Sequence, residues 1–170
     1  EKLGFTIKIE EVDDPCKASF CGMIFAESGE IIKDPRKFFQ GFGWTSSFLT
    51  AGPGIMDSLL RAMALSSVYE TPQCPVIGAM ARYALSKTRH AVPRFVEDGF
   101  HKAPPDEFKL PEYSPAPDTR ELFAVFFGVS VYEQLQVEAA IARGDMRTVA
   151  QLIPPTAAQS DYASKFLLVA

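Results

Sequence analysis

The sequence is short of most of the residues that metal and redox chemistry use. It holds three cysteines and two histidines in 170 residues. Cys16, Cys21 and Cys74 form no Cys-x-x-Cys pair, and His90 and His101 stand far from them, so zinc-ligand spacing is missing. An odd cysteine count with no secretory leader reads as reduced, buried structural thiols inside a cell. Long apolar runs are also missing: none reaches the ~18 residues of a membrane span. No Gly-x-Ser-x-Gly elbow, Walker loop or His-Glu-x-x-His occurs, which removes the local signatures of serine hydrolases, P-loop enzymes and zinc proteases. Gly41-Phe42-Gly43-Trp44-Thr45-Ser46 has two glycines of a phosphate loop but reads as a helix-ending loop. Asp13-Asp14 runs straight into Pro15 with no apolar strand behind it, a turn rather than a metal pair.

What is present supports a core. Hydrophobic residues make up 47% of the chain, enough for one domain or one and a half. The net charge of −4 excludes polyanion binding by bulk charge, so any such role rests on local charge. The first residue is Glu1 rather than Met, and the chain reads as a piece of something longer.

Periodicity divides the chain. Phe5 to Ile9 alternates and is rich in β-formers, which predicts a strand. Phe20 to Phe25 and Glu30 to Lys33 flank Glu27-Ser28-Gly29, which predicts a hairpin. Asp34-Pro35 has the form of an N-cap with proline at the first helical position, so a short helix over 35–40 should follow. Helical spacing then predicts helices over 55–69 and 75–87. Residues 103–117 hold five prolines and read as a partly rigid connection pinned by Phe108 and Tyr113. Asp118-Thr119-Arg120-Glu121 and Ser130-Val131-Tyr132-Glu133 both have the form of capping boxes, opening helices that end at Gly128 and Gly144. Asp145 should cap a helix up to Ile153, and a last helix is expected over 160–168. Strands first and helices after predict an α+β fold: a small antiparallel sheet or hairpin over 1–45, then a mostly helical unit over 46–170.

Charge is concentrated in one place. Between Thr71 and Val96 stand Arg82, Lys87, Arg89 and Arg94, with no acid among them. Arg82 and Arg89 are seven apart, which predicts a shared helix face suited to a phosphate backbone. A solvated face pairing with acids elsewhere is the competing reading. Lys8, inside an alternating strand, is either an outward lysine or a general acid near a phosphate leaving group.

The order of these parts carries a resemblance. Gly4-Phe5-Thr6-Ile7-Lys8-Ile9, then Phe20-Cys21-Gly22-Met23-Ile24-Phe25, then Lys33-Asp34-Pro35-Arg36-Lys37-Phe38-Phe39 resembles the end of the palm in RNA-dependent RNA polymerases of positive-strand RNA viruses. The alphavirus-like, nodavirus-like and tetravirus-like groups are the most similar. Thr71-Pro72-Gln73-Cys74-Pro75-Val76-Ile77-Gly78, Thr119-Arg120-Glu121-Leu122-Phe123, Phe127-Gly128-Val129-Ser130, Gln134 and Glu138 resemble the thumb that follows. The resemblance spans roughly residues 2 to 143, and its weight lies in order and spacing. The metal-binding aspartates of these enzymes are not in the chain; Gly144-Asp145-Met146 belongs to a turn between helices.

The resemblance implies a palm edge and thumb of a longer polymerase, working in a viral replication complex of the host cytoplasm. Lys8 would lie near the leaving pyrophosphate and protonate it. Phe20, Cys21, Gly22 and Met23 would form the hairpin that holds the primer 3′ end, and Arg82, Lys87 and Arg89 would bind the backbone of the product duplex. Magnesium would be bound by aspartates outside this chain, with no cofactor within it. Partners would be RNA template and product, nucleoside triphosphates and the rest of the polymerase, with no membrane association evident. The rival reading is a non-catalytic helical module that docks a protein partner through the proline-rich connection.

Overall fold

A computed structural model describes residues 11–45, 48, 50, 52–95 and 103–154. The expected strand at residues 5–9 with Lys8, and the last helix at 160–168, lie outside the described residues. Within them the fold is α+β: a three-stranded antiparallel sheet and six α-helices.

The strands are β1 (Ser19–Phe20), β2 (Met23–Phe25) and β3 (Ile31–Lys33), in the order β1-β2-β3. Residues 20–25 therefore do not form one strand. Cys21 and Gly22 have φ of 52° and 77°, the two positive values that a tight type I′ hairpin turn requires, and Phe20 pairs with Met23 across it. β2 and β3 form the expected hairpin, with Ile24 opposite Ile32 on the buried face. Its loop closes through Gly29 N to Ala26 O at 2.9 Å, with Gly29 at φ 82°.

Helix α1 (Pro35–Gly41) begins as the sequence predicts: Asp34 accepts from the Arg36 amide at 2.9 Å and Pro35 occupies the first turn, where no N–H is needed. Helices α2 (Pro53–Glu70) and α3 (Ile77–Lys87) pack on each other. Helix α4 (Pro117–Phe127) starts two residues before the expectation. Ala116 is its N-cap and Pro117 its first residue, so Asp118 is free to accept from Ser28 N at 3.0 Å, across the molecule. The capping box expected there does not form. The one at Ser130 does, opening α5 (Val131–Arg143), and Asp145 caps α6 (Met146–Leu152) by accepting from Thr148 N. The Asp13-Asp14-Pro15 stretch is a turn, Asp14 accepting from Cys16 N at 2.8 Å.

One apolar core joins the sheet to the helices. Ile24 and Ile32 pack in the same cluster as Val76, Ile77, Phe123 and Val137. Burying a side chain such as Phe123 stabilises by about 1.5–3 kcal/mol. Both ends of α4 are tied to the segment around β3: Glu30, in the loop before β3, accepts from Ala116 N at 3.1 Å, and Arg36 of α1 donates to Phe127 O at 2.7 Å. Among the described residues no helix is long and apolar enough to cross a membrane.

Candidate functional site

Two polar constellations stand out, one closed and one open. The closed one centres on Glu138 of α5. Its carboxylate accepts both ends of the Arg120 guanidinium at 3.0 Å, the Tyr113 hydroxyl at 2.6 Å and the Val76 amide at 3.1 Å. Gln134 completes the set, donating to the carbonyls of Arg120 and Val129, both at 2.9 Å. The Arg120 and Glu138 side chains are only 14% and 13% exposed, so a lone charge here would be costly. Burial and then the Glu138 charge push the Tyr113 hydroxyl well above its ordinary value. Burial alone would lower Arg120, but its hydrogen bonds to Glu138 and that carboxylate's charge outweigh this and raise it.

Val76 sits at the edge of this hub in a strained turn. Its φ is 66° and ψ −53°, with Ile77 N bonded to Pro75 O at 2.7 Å. This is a γ-turn, unfavourable for a β-branched residue. Complete burial of the side chain and the Glu138 bond hold it there.

Arg82 belongs to this closed region, its guanidinium turned onto backbone carbonyls. It donates to the carbonyls of Pro72 at 2.8 Å, Gly78 at 3.2 Å and Pro111 at 2.8 Å, and lies 5.0 Å over the Tyr113 ring. Burial lowers its pKa from the ordinary value. It pins the 103–117 connection to the start of α3. The shared face expected for Arg82 and Arg89 does not exist, because α3 ends at Lys87 and Arg89 lies in the following turn. Lys87 and Arg89 are exposed, Lys87 lying 5.2 Å over the Tyr83 ring. His90, next in the chain, is paired with Asp57 of α2, whose Oδ2 lies 2.9 Å from its Nε2.

The open constellation lies beside the β1–β2 turn. A groove of about 640 Å³ is lined by Cys21, Gly22, Lys33, Lys37 and Phe126, with Asp34 and Phe127 in its wall. Phe20 is 67% exposed and Phe126 37% exposed, and Lys37 is exposed. Met23 is half-buried on β2. Cys21 is exposed, which corrects the expectation of a small buried thiol; only Cys74 is fully buried, its thiol pushed up to about 12 by burial. Exposed aromatic rings beside lysines offer what a single strand needs: a surface for bases and charge for phosphates.

The structure thus brings Phe20, Cys21, Gly22 and Met23 together and sets Arg82 apart from them. Lys87 lies at the far end of α3, about 15 Å along the helix from Ile77, which shares a cavity wall with Lys33. Lys33, Lys37 and Phe126 also line this groove and are not among the residues the sequence singles out. The charged run Lys33-Asp34-Pro35-Arg36-Lys37 signals the first two; Phe126 reaches the groove only through docking of α4 on the sheet, which no local pattern encodes. Among the described residues no group of three or more His, Cys, Asp or Glu comes together. Comparisons with protein families, with curated proteins and with solved structures find no match for the chain.

Proposed function

We propose that the chain works as the palm edge and thumb of a viral RNA-dependent RNA polymerase, holding the 3′ end of the growing RNA strand. The observation that carries this reading is the tight Cys21-Gly22 turn opening onto a groove lined by Lys33, Lys37 and Phe126. Gly22, with nothing within 4 Å of where a Cβ would stand, lets an RNA backbone come close. Lys33 and Lys37 supply charge for the terminal phosphates, and Phe20 and Phe126 a surface on which bases stack. Lys87 and Arg89 would meet the duplex backbone further along, without reading sequence.

In such an enzyme the magnesium ions, on aspartates outside this chain, align the primer 3′-hydroxyl with the nucleotide α-phosphate. Lys8 is proposed to protonate the leaving pyrophosphate. Lys8→Met in the full polymerase should then slow nucleotide addition while leaving RNA affinity nearly intact; equal losses in both would remove the general-acid role. Docking of a protein partner through the proline-rich connection has less support, because Tyr113 is bonded to Glu138 and Phe108 packs edge-on to Tyr69 at 5.2 Å.

The direct test is thiol footprinting. Iodoacetamide should modify Cys21 well before Cys74 in the folded chain, since one is exposed and the other buried. Adding a short single-stranded RNA should slow modification at Cys21 while leaving Cys16 unchanged. Equal rates at Cys21 with and without saturating RNA would overturn the groove as the binding site.

A further inference from the structure

Lys33 faces two spaces at once. It lines the groove beside Cys21-Gly22 and also a second cavity, of about 260 Å³, between α1 and α2. Its ammonium donates to Glu70 Oε2 at 2.7 Å, and Glu70 belongs to that second cavity. The two side chains are 34% and 41% exposed, so the pair sits in solvent-screened surroundings and is a weak one. Glu70 is the last residue of α2, where a negative charge lies against the negative end of the helix dipole, and this weakens its hold further. A phosphate entering the groove presents the same type of acceptor without that handicap.

We propose that Glu70 is an internal competitor for Lys33: it holds the lysine toward the α2 side while the groove is empty and releases it to an RNA phosphate when the groove fills. This rests on the groove being an RNA site, as proposed above. Glu70 then sets the affinity of the groove without touching RNA, as a positioning residue acting through Lys33.

The test is a double-mutant cycle on the whole chain, read by fluorescence anisotropy of a short labelled single-stranded RNA over a salt series. Glu70→Gln keeps the side-chain shape and removes the charge. It should tighten binding about two- to fivefold. The dependence of log affinity on log salt should steepen by about 0.7, the increment for one single-strand phosphate contact. Lys33→Met should weaken binding, and in that background Glu70→Gln should have no effect beyond that of Glu107→Gln, a change of the same charge at an exposed residue of the 103–117 connection. Tightening by Glu70→Gln that persists at full size in Lys33→Met would overturn the competition. So would no tightening from Glu70→Gln while Lys33→Met weakens binding, with the groove reading left standing. RNA affinity indifferent to Lys33→Met, Lys37→Met and Glu70→Gln alike would remove the groove reading itself, and the inference with it.

Discussion

Around Glu138, an arginine, a tyrosine and a backbone amide are turned inward on one carboxylate, and a glutamine braces the arginine's backbone beside it. Beside the Cys21-Gly22 turn, two lysines and three phenylalanines line an open groove. The residue types are nearly the same, cationic and aromatic, yet their uses are opposite. In the hub each polar atom has a partner, and among the described residues no buried side-chain nitrogen or oxygen lacks one. At the groove, exposure of apolar rings is tolerated because the surface there is not needed for folding. Burial, rather than residue identity, separates the residues that hold the helices together from those free to meet a ligand.

The comparison breaks first at the hub. Glu138→Ala would strand the Arg120 charge and leave Val76 N and the Tyr113 hydroxyl without their acceptor. Removing one partner of a buried pair costs about 3–5 kcal/mol. Urea unfolding should show that loss as a lower midpoint with an unchanged slope. A loss below about 1 kcal/mol would place the hub with ordinary surface pairs.

Gly78→Ala should come next. A Cβ there would lie 2.7 Å from the Tyr113 ring and 2.9 Å from the Pro72 carbonyl, one pinned by Glu138 and the other backbone. Neither neighbour can move cheaply, so overpacking should cost about 1–3 kcal/mol in the same urea assay. Gly22→Ala should be milder in contact terms, since nothing lies within 4 Å, but it still meets the positive φ of 77°.

Arg82 and Arg89 divide the comparison most cleanly, because the sequence puts them in one acid-free stretch. Arg82→Ala leaves the Pro72 and Pro111 carbonyls without their side-chain donor and should lower stability by about 1.5–3 kcal/mol, the range for hydrogen bonds to charged groups. It should leave the salt dependence of RNA affinity unchanged. Arg89→Ala should do the reverse: no measurable change in unfolding, and a salt slope shallower by roughly one phosphate contact. A shallower slope for Arg82→Ala at full stability would return it to the RNA-facing surface.

How far the sequence shows these assignments depends on how local the cause is. The Asp34-Pro35 start of α1, the Ser130 capping box and the Gly144-Asp145 joint are set by neighbours in sequence, and each lies where its pattern predicts. The Asp118 box fails because a distant amide, Ser28 N, takes the carboxylate and Pro117 starts the helix earlier. The Phe20–Phe25 run is apolar enough for a strand, but Cys21 and Gly22 at positive φ fold it into two. Arg82 looks like a surface charge until the proline-rich connection closes over it from 29 residues away. Of the groove, the turn and its lysines are legible in one stretch, while Phe126 arrives only with the tertiary docking of α4.

The smallest effect concerns acid, and it separates local caps from both regions. Glu133 is held below its ordinary 4.5 by hydrogen bonds from the Ser130 hydroxyl and amide. Asp145 is held below 3.8 by the Thr148 hydroxyl and amide, and Asp118 likewise by Ser28 N first of all. A carboxylate whose folded pKa is depressed contributes stability that is full above its unfolded pKa and lost as pH falls through the folded one. The chain should therefore keep this contribution down to about pH 4.5 and shed it progressively below that, as Glu133 and the two aspartates take up protons. Thermal unfolding at about pH 6 and about pH 3 measures the difference. Glu133→Gln with Asp145→Asn, which cannot titrate, should shrink the gap between the two pH values while the wild-type Asp118 keeps part of it. A gap of the same size in the double variant would show that these two caps do not carry the acid sensitivity.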